Sequence, residues 1–137
     1  GDDIDAIALG PYFNGYDPTV TEADLDTVMA SYAGAASVTG DEVAAHFNLS
    51  NARGFSLITY EAGPGGEGDG AGDDLAIAAH RDPRMRGLVT DYYNRLRLEG
   101  VRLMMHFISS GKPSRYVANQ LLFSVHIHIS CTLQRTN

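Results

Sequence analysis

The sequence predicts an α/β fold in which short parallel strands alternate with helices. Three apolar runs have the length and composition of buried strands: Ile4–Gly10, Phe55–Tyr60 and Val101–Phe107. The segments between them repeat apolar residues every three or four positions, which is typical of helices that bury one face. Strands that alternate with helices along a chain pair in parallel through right-handed crossovers, so a β-α-β-α-β order is expected.

The first strand leads into two predicted helices. Thr19 and Glu22 have the spacing of a capping box, so a helix is expected to begin near Thr19 or Thr21. Gly34 is expected to end this helix, because glycine is a poor helix former. A second, shorter helix is expected over residues 40–48, where apolar side chains recur at helical spacing.

The second strand, Phe55–Tyr60, is continuously apolar, like strands that a parallel sheet buries on both faces. Gly54 before it suits the left-handed position that follows a helix. The strand delivers Glu61 at its C-terminal end, and a glycine-rich segment spans residues 63–70. Ligands and catalytic groups gather at the carboxyl ends of parallel strands. Glu61 is therefore the leading candidate for nucleophilic or acid–base catalysis. The alternative is that it is an ordinary carboxylate in solvent.

The last predicted helix carries the clearest end signals. Asp82 and Pro83 have the residue types of an N-cap and a first helical position, and Gly100 is expected to close the helix. A short helix capped by Asp73 or Asp74 is expected before it. The apolar stripe of the last helix consists of Met85, Leu88, Val89, Tyr92 and Leu96.

Length and charge limit the possible functions. The chain has 137 residues and a net charge of −7, with 44% apolar residues, which suits one soluble globular domain. All 17 acidic side chains lie in residues 1–99, whereas residues 100–137 carry four cations and no acid. Such an acidic body excludes nucleic acid as the expected partner. No apolar run reaches the ~18 residues that span a bilayer, so no membrane partner is expected.

Four segments occur in an order that resembles a known family: IDAIALGPYF at 4–13, LITYEAG at 57–63, RDPRM at 81–85 and LMMHF at 103–107. Together they resemble the C-terminal part of clan A glycoside hydrolase-like barrels. The closest group is that of bacterial proteins described as cellulose-binding-domain proteins. The resemblance implies a TIM-type (β/α)8 barrel, of which residues 1–116 would supply about strands six to eight.

In clan A enzymes the glutamate that ends strand seven is the retaining nucleophile, and Glu61 stands at that position. Ala62 replaces the first of the two glycines expected after it. The acid/base glutamate of the family ends strand four, which would lie outside this chain. A retaining enzyme needs both carboxyl groups about 5–5.5 Å apart, so the missing N-terminal part of the same barrel is an expected partner.

Three further residues are candidate substrate contacts. Tyr12 and Phe13 follow the first strand and would line a sugar subsite by stacking, although core filling is an equal alternative for Phe13. His106 ends the third strand and is expected near Glu61, with a satisfied barrel histidine as its alternative. Tyr60 is expected to point away from the carboxylate and to pack.

No metal or organic cofactor is expected. His126 and His128 would share one strand face, but no third ligand lies in register with them. The acidic positions between 67 and 74 match no calcium-loop spacing, which favours a mobile active-site loop.

Residues 117–137 depart from the family pattern. A Gly-Ser-Trp-Gly-like stretch is expected after Tyr116, whereas the chain has Val117-Ala118-Asn119-Gln120 and no tryptophan. This segment is interpreted as a divergent tail, either native or out of frame. The chain begins without methionine, as expected of a segment of a longer protein, and the resemblance implies a secreted or extracytoplasmic location.

The resemblance thus implies a fragment of a retaining glycoside hydrolase that acts on β-linked polysaccharide or oligosaccharide. The alternative is a non-catalytic carbohydrate-binding barrel, in which Glu61 only hydrogen-bonds sugar hydroxyls. The isolated chain is expected to be inactive, because it carries one carboxylate of the pair.

Overall fold

The computed structural model describes residues 4–15, 24–65 and 73–106. Two strands, β1 (Ala6–Leu9) and β3 (Ser56–Thr59), pair in parallel, with Ala6 opposite Ser56 and Leu9 opposite Thr59. Two shorter strands, β2 (Tyr12–Asn14) and β4 (Gly63–Gly65), also pair in parallel. β2 follows β1 in the chain and β4 follows β3, with a short interruption between the two strands in each case. These interruptions are where the candidate site lies.

Within the described residues, the segment predicted as the third strand forms one isolated bridge to β3 and no strand of its own. Leu103 forms a parallel bridge with Ile58. The Thr59 amide donates to the Leu103 carbonyl at 2.8 Å, and the Arg102 amide donates to the Leu57 carbonyl at 2.9 Å. Parallel pairing is what the β-α-β-α-β order predicts. No sheet closes within the described residues, so the (β/α)8 barrel stays a prediction.

Helix α1 (Leu25–Asn51) is one continuous helix of 27 residues. The predicted stop at Gly34 is therefore wrong, because this glycine is exposed and lies in an alanine-rich stretch that sustains the helix. The predicted start near Thr19 or Thr21 lies outside the described residues. Asp24 is the N-cap, and its Oδ1 accepts the Thr27 amide at 2.7 Å.

Helices α2 (Asp73–Arg81) and α3 (Pro83–Leu98) follow β4. The predicted N-cap of α3 is confirmed, because the Asp82 carboxylate accepts the Arg84 amide at 2.8 Å. Gly54 and Gly100 have φ of +77° and +102°, which confirms the left-handed position predicted for Gly54 before β3. None of the described helices is long and apolar enough to cross a membrane.

The helices pack on one face of the paired strands. Leu57, Thr59 and Phe13 point into this face and are buried. The helical side of the same core consists of Val28, Met29, Tyr32, Ala36, Val43, Ala76, Ala79, Met85, Val89, Tyr92, Tyr93 and Leu96. The opposite face carries Ile4, Tyr60 and Met105, which are exposed. Within the described residues this second face is open to solvent.

Replacing Gly34 with alanine is expected to stabilise the protein by up to about 1 kcal/mol, because alanine is the better helix former and a Cβ at this position meets no atom within 4 Å. Urea unfolding followed by circular dichroism measures the change. Gly40→Ala is the matched control in the same helix, since its Cβ would lie 2.5 Å from a guanidinium nitrogen of Arg95. A Gly34→Ala variant no more stable than Gly40→Ala would contradict this account of α1.

Candidate active site

Tyr12 and Glu61 meet at the carboxyl ends of the first strand pair. The Tyr12 hydroxyl donates to Oε2 of Glu61 at 2.5 Å. Tyr12 opens β2, whereas Glu61 lies between β3 and β4. Both side chains are half-buried. The structure thus brings together two residues that are 49 positions apart in the chain.

The local environment keeps Tyr12 protonated. Burial raises the pKa of the Tyr12 hydroxyl, and the hydrogen bond to Glu61 and the nearby carboxylate charge raise it further. A phenol with a raised pKa remains a donor throughout the physiological range. The carboxylate of Glu61 therefore has a fixed partner on one oxygen.

The residue after Glu61 is held by a second tyrosine. The Tyr93 hydroxyl donates to the Ala62 carbonyl at 2.7 Å. His106 Nδ1 lies 2.8 Å from the same hydroxyl oxygen. Because a hydroxyl has one proton, and Tyr93 gives it to Ala62, His106 donates through Nδ1–H. Burial lowers the pKa of His106, which favours this neutral form.

The sequence places His106 near Glu61, and the structure links the two residues through Tyr93 and Ala62. His106 Nδ1 lies within hydrogen-bonding distance of the Tyr93 hydroxyl, so this nitrogen is engaged with Tyr93, and a sugar contact of His106 stays a prediction. The rings of Tyr93 and His106 pack edge-on, with their centroids 5.7 Å apart.

A similar tyrosine–histidine pair holds the end of β4. The Tyr32 hydroxyl donates to the Gly65 carbonyl at 2.8 Å, and His80 Nε2 lies 3.1 Å from that hydroxyl. His80 is 1% exposed. Burial lowers the pKa of His80 to about 4, an effect that the Gly65 carbonyl partly offsets. His80 is therefore neutral at physiological pH and donates through Nε2–H.

Phe13 does not face the site. Its ring is 0% exposed and packs against Tyr92 and Tyr32, with centroid distances of 4.7 and 6.3 Å. The structure favours the alternative of core filling over a sugar contact for this residue. Successive strand residues point to opposite faces, so Tyr12 and Phe13 cannot both line one subsite.

Tyr60 differs from the sequence expectation. Its ring is 53% exposed on the open face, next to Glu61, so it does not pack in a core within the described residues. Its hydroxyl lies close to Gly10, where a Cβ would be 2.7 Å from the oxygen. A side chain at position 10 would therefore displace the Tyr60 hydroxyl.

A cavity of about 210 Å³ borders Tyr12. Leu9, Gly10 and Pro11 form one wall, and residues 39–46 of α1 form the other. Sites that enclose a ligand usually measure about 300–1,000 Å³, so a sugar chain would need a further wall to be enclosed here.

The tyrosines that hold the backbone are not among the residues that the sequence predicts for the site. Tyr32 and Tyr92 recur with apolar residues at helical spacing, a pattern that predicts core packing. Their hydroxyl groups are the signal in the sequence that points to a polar contact, because a buried tyrosine needs a hydrogen-bond partner. No group of three possible metal ligands occurs among the described residues, and His126 and His128 lie outside them, as do the tail 117–137 and most of the acidic loop.

Comparison with known proteins gives no relative, since no protein-family model, curated protein or solved structure matches the chain.

Proposed function

We propose that this chain supplies the nucleophile side of a retaining glycoside hydrolase-like site that acts on β-linked polysaccharide. The observation that carries the proposal is the Tyr12–Glu61 hydrogen bond at the carboxyl ends of two parallel strands. The Tyr12 hydroxyl fixes Oε2 of Glu61, and the proposed nucleophilic oxygen is Oε1. The resemblance to clan A barrels supports the same role for Glu61.

The proposed chemistry is a double displacement. Oε1 of Glu61 attacks the anomeric carbon, and the bond to the leaving oxygen breaks as that oxygen takes a proton from the acid/base carboxyl group. The same group, now a carboxylate, removes a proton from water. The water oxygen attacks the anomeric carbon and releases Glu61. Tyr12 holds Oε2 throughout, so that the carboxylate does not rotate between the two steps.

The acid/base carboxyl group is proposed to come from the N-terminal part of the same barrel, outside this chain. The open face with Ile4, Tyr60 and Met105 supports this arrangement, because an apolar sheet face of this kind is buried in a complete parallel barrel. Polysaccharide as substrate implies a secreted or extracytoplasmic protein.

A covalent trap tests the proposal. The longest reading frame that contains these 137 residues is incubated with 2-fluoroglycosides of several β-linked sugars, and the labelled peptide is mapped by mass spectrometry. A label on Glu61 is expected, and Glu61→Gln serves as the unlabelled control. A label on another carboxylate would overturn the assignment. Sugar binding without any label would favour the alternative, a non-catalytic carbohydrate-binding barrel.

A further inference from the structure

Two adjacent tyrosines of α3 reach the two chain segments that carry the site. The Tyr92 hydroxyl donates to the Pro11 carbonyl at 2.8 Å, and the Tyr93 hydroxyl donates to the Ala62 carbonyl at 2.7 Å. Pro11 directly precedes Tyr12, and Ala62 directly follows Glu61. One helix therefore forms hydrogen bonds to the backbone next to each of the two residues of the Tyr12–Glu61 bond.

These contacts lie where the strand ladders are interrupted. The first ladder ends at Leu9 and Thr59, and the second begins at Tyr12 and Gly63. The intervening peptides are joined by the bond from the Tyr60 amide to the Leu9 carbonyl, at 3.0 Å. In this interval the Tyr92 hydroxyl holds the Pro11 carbonyl and the Tyr93 hydroxyl holds the Ala62 carbonyl.

Both tyrosines are suited to a fixed role. Tyr92 and Tyr93 are buried, and their rings pack edge-on with centroids 5.8 Å apart. Burial raises the pKa of both hydroxyls, so each remains a donor across the physiological range. His106 Nδ1 lies 2.8 Å from the Tyr93 hydroxyl oxygen, and a proton on Nδ1 leaves the tyrosine proton to Ala62.

We propose that Tyr92 and Tyr93 are positioning residues that set the distance between the Tyr12 hydroxyl and the Glu61 carboxylate. The inference concerns the geometry of this pair, and its catalytic meaning rests on the proposed function. Displacing a reacting group by about 1 Å can cost a hundredfold in rate, so control of this distance matters for a nucleophile.

Single Tyr→Phe variants test the proposal on the 137-residue chain. Tyr92→Phe and Tyr93→Phe each remove one oxygen, and Tyr32→Phe is the matched control. Tyr32 is also buried and also donates to a carbonyl of the 62–65 segment, but at Gly65, away from the pair. Each variant is expected to lose a similar stability, seen as a similar fall in the urea midpoint of unfolding.

The readout is the ¹H chemical shift of the Tyr12 hydroxyl proton, which moves downfield as its hydrogen bond to Glu61 shortens, observed by NMR with ring-labelled tyrosine. In Tyr93→Phe, and more so in Tyr92→Phe/Tyr93→Phe, this chemical shift is expected to move upfield as the Tyr12–Glu61 distance grows. Tyr32→Phe is expected to leave it at the wild-type value. Equal shifts in all three single variants, or none in any, would overturn the proposal.

A second measurement on the wild-type chain does not depend on a variant that folds. The ¹⁵N shifts of His106 are expected to show a neutral ring protonated at Nδ1, the less common tautomer. Protonation at Nε2 would mean that Tyr93 gives its proton to His106 and not to Ala62, and the proposal would fail.

Neither readout needs hydrolysis, so the positioning role can fail while the proposed function stands, and the reverse. In a longer, active protein Tyr93→Phe is expected to lower kcat by roughly 10- to 100-fold with KM unchanged. Tyr32→Phe is expected to leave kcat within about twofold. A fall in KM and kcat that is the same in both variants would indicate a merely structural role.

Discussion

Glu61→Gln, in the longest reading frame that contains this chain, is expected to lower kcat for β-glycan hydrolysis by at least about a thousandfold. An amide cannot form the glycosyl ester, yet its oxygen still accepts the Tyr12 hydroxyl, so the fold is expected to be kept. Reducing-sugar release with a panel of β-linked polysaccharides measures the loss.

Glu99→Gln is the control, because it makes the same isosteric change at the end of α3, where the carboxylate contacts Arg95. It is expected to leave kcat unchanged. Azide provides a further test with Glu61→Ala, since it fits the space of the lost carboxylate and attacks the anomeric carbon directly. Full activity of Glu61→Gln on every substrate that the wild type hydrolyses would refute the nucleophile assignment.

The stability of the chain is expected to fall by about 3 kcal/mol between pH 7 and pH 4, through His80 alone. The pKa of His80 is about 4 in the folded chain, against an ordinary value of 6.5. Between these values the unfolded chain binds a proton that the folded chain does not, so lowering the pH favours unfolding. The free energy of unfolding has its full value, as far as His80 is concerned, above pH 6.5, and this part of it is lost below pH 4. His106 acts in the same direction, because burial lowers its pKa as well.

Urea unfolding at several pH values, with His80→Gln as the variant, checks this expectation. Glutamine can donate an amide hydrogen to Tyr32 but does not titrate, so the pH dependence should be much weaker in this variant. His46→Gln is the control, because His46 is exposed on α1. An unchanged pH dependence in His80→Gln would show that another group causes the acid sensitivity.

Much of the local structure was predictable from the sequence, because its signals are local. The apolar runs place β1 and β3, and the Asp82-Pro83 pair places the start of α3. The position of Glu61 at a strand end follows from the same pattern. Gly34 misled the prediction, since a single exposed glycine costs a long helix only about 1 kcal/mol and the packing of α1 outweighs it.

The arrangement around Glu61 was less predictable, because it depends on contacts between distant segments. Strand alternation separates Tyr12 from Phe13, which decides between the sugar contact and the core filling that the sequence leaves open for Phe13. The bonds from Tyr92 and Tyr93 to backbone carbonyls leave no pattern in the sequence beyond two tyrosines on a helix. The exposure of Tyr60 depends on which face the helices cover, which periodicity alone does not determine.

The sequence distance between Tyr12 and Glu61 has a consequence for how the chain folds. Helices such as α1 form from local contacts within about microseconds, whereas contacts of high sequence separation form slowly. The Tyr12–Glu61 bond spans 49 positions and needs both parallel strand pairs in register. A kinetically trapped chain would therefore show native helix content and still lack the site. Far-ultraviolet circular dichroism alone does not establish that a preparation is competent, whereas the ¹H chemical shift of the Tyr12 hydroxyl proton reports on the assembled site.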